Sequence, residues 1–141
     1  AVAEVDGDGL EDIVVSTLRK SSMIWVFSAA GAEMTSADVF SSSAGVMLAA
    51  ADTDGDGDAE IVAASGTDVR VLDFQSGSIV DTGAGFSAAA AVDAVGAGDV
   101  DGDGAAEVVT ASRSADGMVA FDIWRIDTVN GAVLDSEMIM A

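Results

Sequence analysis

Three acidic segments of nine residues recur at a nearly constant interval, and this repeat limits the possible folds more than any other feature. The segments occupy residues 4–12, 52–60 and 99–107, so the repeat length is 48 and then 47 residues. Each segment has acids at alternate positions, glycine at positions 4 and 6, and an acid at position 9. Self-similarity at a period of about 20–50 residues is typical of architectures in which each repeat stacks on its neighbours.

The residues between the acidic segments predict short β-strands. A β-branched apolar run follows each segment, then a polar turn, an alternating run, a turn with glycine and a last apolar stretch. Period-two alternation is typical of a strand with one buried face. The turn glycines are Gly31, Gly77 and Gly131. Each repeat therefore contains roughly four short strands, which is the content of one β-propeller blade.

The sequence thus predicts an all-β fold of three tandem four-stranded antiparallel blade-like repeats, in a β-propeller that is partial or completed by another chain or copy. We expect one repeat domain over residues 1–141, with approximate units 1–43, 44–91 and 92–141. Residues 87–95 are interpreted as the inner strand before the third acidic segment, and residues 46–51 as its counterpart before the second. Small side chains in both stretches would let neighbouring blades approach closely.

The charge of the chain is concentrated in the acidic segments. The formal net charge is −20, and 14 of the 25 acidic residues lie in the three segments. Carboxylates at this density repel one another unless a cation lies among them. Duplex nucleic acid and anionic membranes would be repelled as well, so we expect neither as a partner. An acidic surface that serves only solubility is the alternative, but it does not explain the regular spacing.

Several functional classes need residues that this chain lacks. It has no cysteine and no histidine, which removes disulfides, thiol nucleophiles, zinc sites and imidazole bases. No apolar run approaches the ~18 residues of a membrane span, and no signal-peptide pattern opens the chain. The acids outside the segments stand beside turns without paired spacing, so we expect no catalysis. These acids include Glu33, Asp38, Asp73, Asp81 and Asp93.

The second acidic segment shows why these loops are interpreted as metal sites. Position 6 is Gly57, which permits a sharp turn, and the acids at positions 1, 3, 5 and 9 are Asp52, Asp54, Asp56 and Glu60. Alternate side chains of a tight turn reach one centre, and a flexible set of oxygen ligands suits Ca²⁺ better than Mg²⁺ or transition metals. An EF-hand is excluded because its bidentate glutamate belongs at position 12. That position holds Val15, Ala63 and Thr110.

The pattern D-x-D-G-D-G-x-x-E before an aliphatic strand resembles the FG-GAP (VCBS-type) repeats of integrin alpha-chain propellers and of many secreted bacterial proteins. The resemblance covers essentially the whole chain and implies up to three Ca²⁺ ions, each in a hairpin loop at a blade rim. It implies five ligand positions in each loop, with position 7 contributing its carbonyl. These positions are Glu4, Asp6, Asp8, Leu10 and Asp12; Asp52, Asp54, Asp56, Asp58 and Glu60; and Asp99, Asp101, Asp103, Ala105 and Glu107. Glu4 departs from the usual aspartate.

The sequence does not determine how the predicted propeller is completed. Three blades are too few for a closed propeller, which typically has about 4–8. Residues 137–141 resemble residues 45–49, the strand that leads into the second loop. Three arrangements remain: the chain continues into neighbouring blades of a longer chain, copies associate end to end into a filament, or the last strand closes on the first blade.

The resemblance and the loops predict an extracellular, calcium-stabilised structural or adhesive protein, cell-surface or filament-forming and non-catalytic. The alternative is a non-catalytic propeller module of a larger secreted enzyme that binds a protein or glycan ligand. Exposed aromatic rings would be the handle for such a ligand. Trp25 and Trp124 both lie in the alternating runs between aliphatic residues, so we interpret both as blade-core residues.

Overall fold

The computed structural model describes residues 1–41, 44–113, 117–127 and 132–140. These residues form twelve strands in three four-stranded antiparallel sheets, and the described part of the chain contains no helix. This confirms the predicted all-β fold of three blade-like repeats. The predicted turn glycine Gly131 and the terminal Ala141 lie outside the described residues.

Each sheet, or blade, is a meander of four strands that are consecutive in the chain. The first blade contains β1 (Val2–Ala3), β2 (Asp12–Ser16), β3 (Met23–Phe27) and β4 (Glu33–Asp38). The second contains β5 (Met47–Ala51), β6 (Glu60–Ser65), β7 (Asp68–Gln75) and β8 (Ser78–Ser87). The third contains β9 (Val92–Gly98), β10 (Glu107–Arg113), β11 (Val119–Asp127) and β12 (Ala132–Met140).

The inner strand of the third blade begins later than predicted. Residues 87–95 were expected to form it, but β9 begins at Val92, and the alanines before it belong to the crossing from the second blade. The Ala88 N–H donates to the Thr67 carbonyl at 2.7 Å, and the Val92 N–H donates to the Gly66 carbonyl at 2.8 Å. These bonds attach the crossing to a turn of the previous blade. Because this attachment is tertiary, the alanine pattern alone did not reveal it.

The three acidic loops occupy the same register in their blades. Each connects the first strand to the second, and the acid at position 9 is the first residue of the second strand. The residue pairs that close the loops are Ala3–Asp12, Ala51–Glu60 and Gly98–Glu107. Equivalent sequence positions therefore take equivalent places in the three blades, which allows a position-by-position comparison.

Two buried clusters fill the spaces between successive blades. The first cluster joins the first and second blades and includes Val14, Ile24, Val26, Ile61 and Leu72. The second cluster joins the second and third blades and includes Val62, Val69, Val71, Ala84 and Val108. All six residues of β6 are buried because both faces of the second blade are covered. Its side chains alternate between the two clusters, as expected for a strand.

Each outer blade has one covered face and one open face. On the first blade, Ile13 pairs with Phe27 and Val15 pairs with Trp25 on the side turned away from the second blade. These four residues define the open face of the first blade. On the third blade, Val109 pairs with Ile123 and Ala111 pairs with Phe121 on the corresponding outer side. These four define the open face of the third blade.

The two tryptophans therefore have different environments. The Trp124 ring stacks on Phe86 with 3.8 Å between ring centroids and packs against the second cluster. Its indole N–H also donates to the Thr110 hydroxyl at 3.1 Å. Trp25 lies on the open face of the first blade and belongs to neither buried cluster of the described residues. The prediction of core packing is confirmed for Trp124. Trp25 is half-buried on the face of the first blade that is turned away from the second, and among the described residues it packs in neither cluster.

Candidate metal sites

The acid at position 1 organises the backbone of each loop. One oxygen of Asp52 accepts the Gly55 N–H at 2.6 Å, and the other accepts the Gly57 N–H at 3.0 Å. Asp99 accepts the corresponding N–H groups of its loop at 2.6 and 3.1 Å. Glu4 does the same at 2.7 and 3.1 Å. The longer side chain of Glu4 thus fulfils the same backbone role as the two aspartates.

The acids at positions 3 and 5 continue this pattern. In each loop the position 3 carboxylate accepts the N–H of position 5 at 3.1 Å. The position 5 carboxylate accepts the N–H of position 7 at 2.8 to 3.0 Å. A side chain that bonds the backbone two residues ahead forms an Asx-type turn. Successive turns of this kind curl the loop and bring the carboxylates of positions 1 and 3 together in all three loops.

The glycines at positions 4 and 6 permit this curl. All six have positive φ, from +77° at Gly7 to +104° at Gly57. Residues with a Cβ rarely adopt this conformation, which glycine adopts at little cost. The sequence analysis assigned the sharp turn to position 6, and the structure shows that position 4 is equally constrained.

Three carboxylate groups converge in each loop. Ligand atoms from Glu4, Asp6 and Asp8 lie within 4.8 Å of one another in the first loop. In the second loop the convergent acids are Asp52, Asp54 and Glu60, and in the third they are Asp99, Asp101 and Glu107. Positions 1, 3 and 9 therefore converge in these two loops, whereas positions 1, 3 and 5 converge in the first. Oxygen-only donors at this spacing fit a hard cation that accepts several carboxylates, such as Ca²⁺.

The acid at position 9 of the second loop is Glu60, whereas the first loop has the shorter Asp12 at this position. Glu60 is buried, and one of its oxygens accepts the N–H and the hydroxyl of Thr53, both at 2.7 Å. Burial raises the pKa of Glu60 to about 7, and the charges of Asp54 and Asp56 add to this effect. A buried carboxylate surrounded by other carboxylates therefore resists ionisation until a cation compensates it.

The first loop has the opposite distribution of side-chain lengths, with glutamate at position 1 and aspartate at position 9. Asp12 is only 1% exposed, and its Oδ1 has no hydrogen-bond partner within the described part of the chain. Burial raises the pKa of Asp12, and so do the nearby charges of Asp6, Asp8 and Glu4. A buried acceptor without a donor is costly, and a cation would satisfy it. The buried Asp12 Oδ1 without a donor is therefore the feature of the first loop that fits a metal ion.

A basic residue that the sequence analysis missed contacts the third loop. The guanidinium of Arg125 in β11 makes a close ion pair with Asp101, and its Nε lies 3.3 Å from Glu107 Oε1. Glu107 also accepts the Val100 N–H at 2.9 Å. Arg125 appeared in the sequence only as one polar residue of an alternating strand. Only the pairing of β11 with β10 brings it to the loop.

The residues at position 7 were predicted to contribute carbonyls. The structure places their N–H groups on the position 5 carboxylates, while Leu10 is 56% exposed. Asp58 approaches the first loop, since its carboxylate is 3.2 Å from the place that a Cβ on Gly7 would occupy. Burial and the charge of Glu4 raise the pKa of Asp58. The assignment of the individual ligands, including Asp56, Asp103 and Ala105, remains a prediction.

Stacked four-stranded blades with an acidic hairpin loop in each define a β-propeller-like repeat module. The FG-GAP-like repeat matches residues 5–63 and again residues 52–110, which together cover more than half of the chain. The chain therefore belongs to the FG-GAP-like repeat family, as its motif suggested. Searches of curated proteins and of solved structures gave no match.

Proposed function

We propose that this protein is an extracellular, non-catalytic structural or adhesive module whose three acidic loops bind Ca²⁺ and thereby stiffen the blades. The observation that carries the proposal is an arrangement shared by the loops: position 1 caps two glycine N–H groups, and the acids of positions 1 and 3 converge with a third acid in every blade. An arrangement that recurs three times in one chain has a common physical cause.

Calcium stabilises such loops by removing a repulsion that folding creates. Each loop gathers acids whose mutual charge is unfavourable, and two of the position 9 acids have a raised pKa. A divalent cation binds only when the ligands are assembled, so its binding energy adds to the folding free energy. Calcium sites of extracellular modules typically have Kd values of about 10⁻⁴–10⁻³ M, which match external calcium and not cytosolic signalling. We propose an extracellular location because loops of this affinity class would be occupied at millimolar external calcium.

Four of the described acids outside the loops have ordinary partners, which supports a structural interpretation of these four. Asp68 and Asp81 pair with Arg70 at 3.1 and 3.2 Å. Asp38 accepts the Ser22 hydroxyl, and Asp73 accepts the Gln75 amide. No helix in the described chain is long and apolar enough to cross a membrane. The proposal rests on the loops and on the surfaces that they hold in place, and not on these four acids.

Thermal unfolding in millimolar calcium, compared with EGTA plus magnesium, tests the proposal. We expect a large rise in melting temperature with calcium and little with magnesium, and a stoichiometry of three ions by isothermal titration calorimetry. The double variant Asp52→Asn/Asp54→Asn should bind two ions. Its matched control is Glu33→Gln/Asp93→Asn, which removes the same charge at exposed positions and should still bind three. Equal melting temperatures in calcium and EGTA would refute the proposal.

A further inference from the structure

Neighbouring acidic loops contact each other at both blade interfaces inside the chain. The Ala59 N–H donates to the Glu4 carbonyl at 2.7 Å, and the Ala106 N–H donates to the Asp52 carbonyl at 2.7 Å. Each bond runs from position 8 of one loop to position 1 of the preceding loop, and position 1 belongs to the group of converging acids. The two contacts between loops can therefore be compared position by position.

Position 7 lies beside this bond and faces position 4 of the preceding loop. At the first interface, Asp58 Oδ2 is 3.2 Å from the place that a Cβ on Gly7 would occupy. At the second interface, a Cβ on Gly55 would lie 4.0 Å from the Gly104 carbonyl oxygen. Position 7 there is Ala105, which is half-buried as Asp58 is. The interfaces therefore share a backbone arrangement, but only the first has a carboxylate at position 7.

Asp58 lies close to the charge of the first loop. Gly7 stands between two of the three acids that converge in that loop. Burial raises the pKa of Asp58, and the charge of Glu4 contributes more to this shift than the charge of any acid in the second loop. Without a bound cation, the contact between Asp58 and the first loop is therefore repulsive.

A cation in the first loop would compensate this repulsion. Asp12 Oδ1 in that loop is buried and has no hydrogen-bond partner among the described residues, which fits a bound ion. A Ca²⁺ ion there attracts Asp58 as well as the acids of its own loop. Because Asp58 belongs to the second blade, its attraction to the ion acts across the blade interface.

We infer that Asp58 of the second loop determines the calcium affinity of the first loop. Its carboxylate lies beside the first loop and outside the group of converging acids, so it acts through its charge and not as a further ligand. Calcium in the first loop thereby stabilises the contact between the first two blades, and Ala105 gives the second loop no such partner. The inference rests on the proposed calcium binding and specifies how one ion stabilises an interface.

Isothermal titration calorimetry with calcium chloride tests the inference in a protein whose second loop is disabled. Asp52→Asn/Asp54→Asn should bind two ions, so any effect of Asp58 on these two sites must cross a blade interface. Adding Asp58→Asn removes the charge, keeps the shape and should weaken one of the two sites about fivefold. Asp58→Glu keeps the charge and should retain the affinity. Unchanged affinities of both sites in Asp58→Asn would overturn the inference.

Thermal unfolding gives a readout that a merely structural role of Asp58 would not produce. In EGTA, Asp58→Asn should melt about 2–4 °C higher than the wild type, because a repulsion between the blades is removed. In millimolar calcium this advantage should shrink, because the attraction to the ion is removed as well. The control is Asp93→Asn, at an exposed position near the start of β9 and away from the third loop. Its difference from the wild type should be the same in both conditions, and the same result for Asp58→Asn would contradict the inference.

Ala105→Asp should transfer the effect to the second interface. In a protein whose third loop is disabled by Asp99→Asn/Asp101→Asn, the new carboxylate should strengthen one of the two remaining sites about fivefold. It should also lower the melting temperature in EGTA, because it adds a repulsion between the second and third blades. An affinity that does not rise would show that position 7 does not act on the preceding loop.

The inference and the proposed function fail in different ways. If the wild type binds three Ca²⁺ ions and melts higher in calcium, but Asp58→Asn changes neither the affinities nor the calcium-dependent shift, only the inference is wrong. If the wild type shows no melting shift with calcium, the proposed calcium binding is wrong and the inference falls with it.

Discussion

The second and third loops share one motif but neutralise their charge differently. In the third loop, Arg125 contacts both Asp101 and Glu107. In the second blade, the residue equivalent to Arg125 is Asp73. Val108 pairs with Trp124 and the equivalent Ile61 pairs with Leu72, so the next residues along the two strands, Arg125 and Asp73, occupy the same place. The charge of Asp73 contributes to the raised pKa of Asp58 in the second loop. The second loop therefore has an additional acid nearby, and the third has a base.

This difference indicates that the loop motif supplies the acidic side chains, whereas the residues of the neighbouring strand influence how favourable the free energy of ion binding is. In the third loop, an incoming Ca²⁺ must displace a guanidinium from two carboxylates. In the second, it relieves a buried glutamate whose ionisation is unfavourable. We expect the second loop to bind calcium more tightly than the third.

The largest expected effect is on the pH dependence of the calcium-free protein. The pKa of Glu60 is raised from 4.5 to about 7, so the folded state holds this proton more tightly than the unfolded state. The stabilising contribution of the neutral acid is complete below about pH 4.5 and is lost as the pH rises to 7. Glu60→Gln should therefore increase stability at pH 8 in EGTA, by up to about 3 kcal/mol. Urea unfolding across this pH range measures the effect.

The corresponding substitution in the third loop should have the opposite sign. Glu107→Gln removes a partner of Arg125, so stability in EGTA at pH 8 should fall by about 0.5–1 kcal/mol, limited by the partial exposure of the guanidinium. Two variants that shift stability in the same direction would contradict the difference between the loops.

The next largest effect is the loss of one calcium site. Asp52→Asn weakens the second loop, and a site at a calcium concentration of 100 times Kd contributes about 2.7 kcal/mol. Asp99→Asn in the third loop should lose less at the same calcium concentration, because a tenfold weaker site contributes about 1.4 kcal/mol less. Thermal unfolding in calcium, with the EGTA value subtracted for each variant, compares the two. Equal losses would show that Arg125 does not affect calcium binding.

A smaller change should come from removing the competing guanidinium. Arg125→Gln should raise the calcium affinity of the third loop about tenfold, equivalent to about 1.4 kcal/mol, as measured by isothermal titration calorimetry. The matched control is Arg70→Gln, because Arg70 pairs with Asp68 and Asp81 away from the loops. It should leave all three affinities unchanged. An unchanged third affinity in Arg125→Gln would mean that calcium and the guanidinium do not compete.

The smallest expected effect concerns position 2. The Thr53 hydroxyl donates to Glu60 at 2.7 Å, and the third loop has the exposed Val100 in its place. Thr53→Val removes this donor with little change in shape and should cost about 1 kcal/mol. Val100→Thr should be neutral within error if its side chain lies in solvent. A cost for Thr53→Val that persists in Glu60→Met, which has no acceptor oxygen, would show that the hydroxyl acts elsewhere.

Much of the architecture could be predicted from local patterns. The strand alternation correctly indicated three antiparallel blades, and the repeated motif indicated the loops in which acids cluster. The inner strand over residues 87–95 was misplaced because Ala88 and Val92 bond to a turn of the second blade, which holds the residues between them in the crossing. Trp25 was assigned to the core because its neighbours are aliphatic, but a strand pattern shows only that two faces differ. It does not show which face is covered.

Residue type and spacing within one unit were enough to predict the repeat, the all-β fold and the three acidic loops, because these features depend on no other unit. Only the tertiary structure decided the contacts between units. It brought Arg125 to the third loop through the pairing of β10 with β11, and it left Val100 and Ile13 exposed at the ends. The burial of a side chain and the neutralisation of a charge depend on which surfaces of the folded chain are in contact. A local sequence pattern does not contain that information.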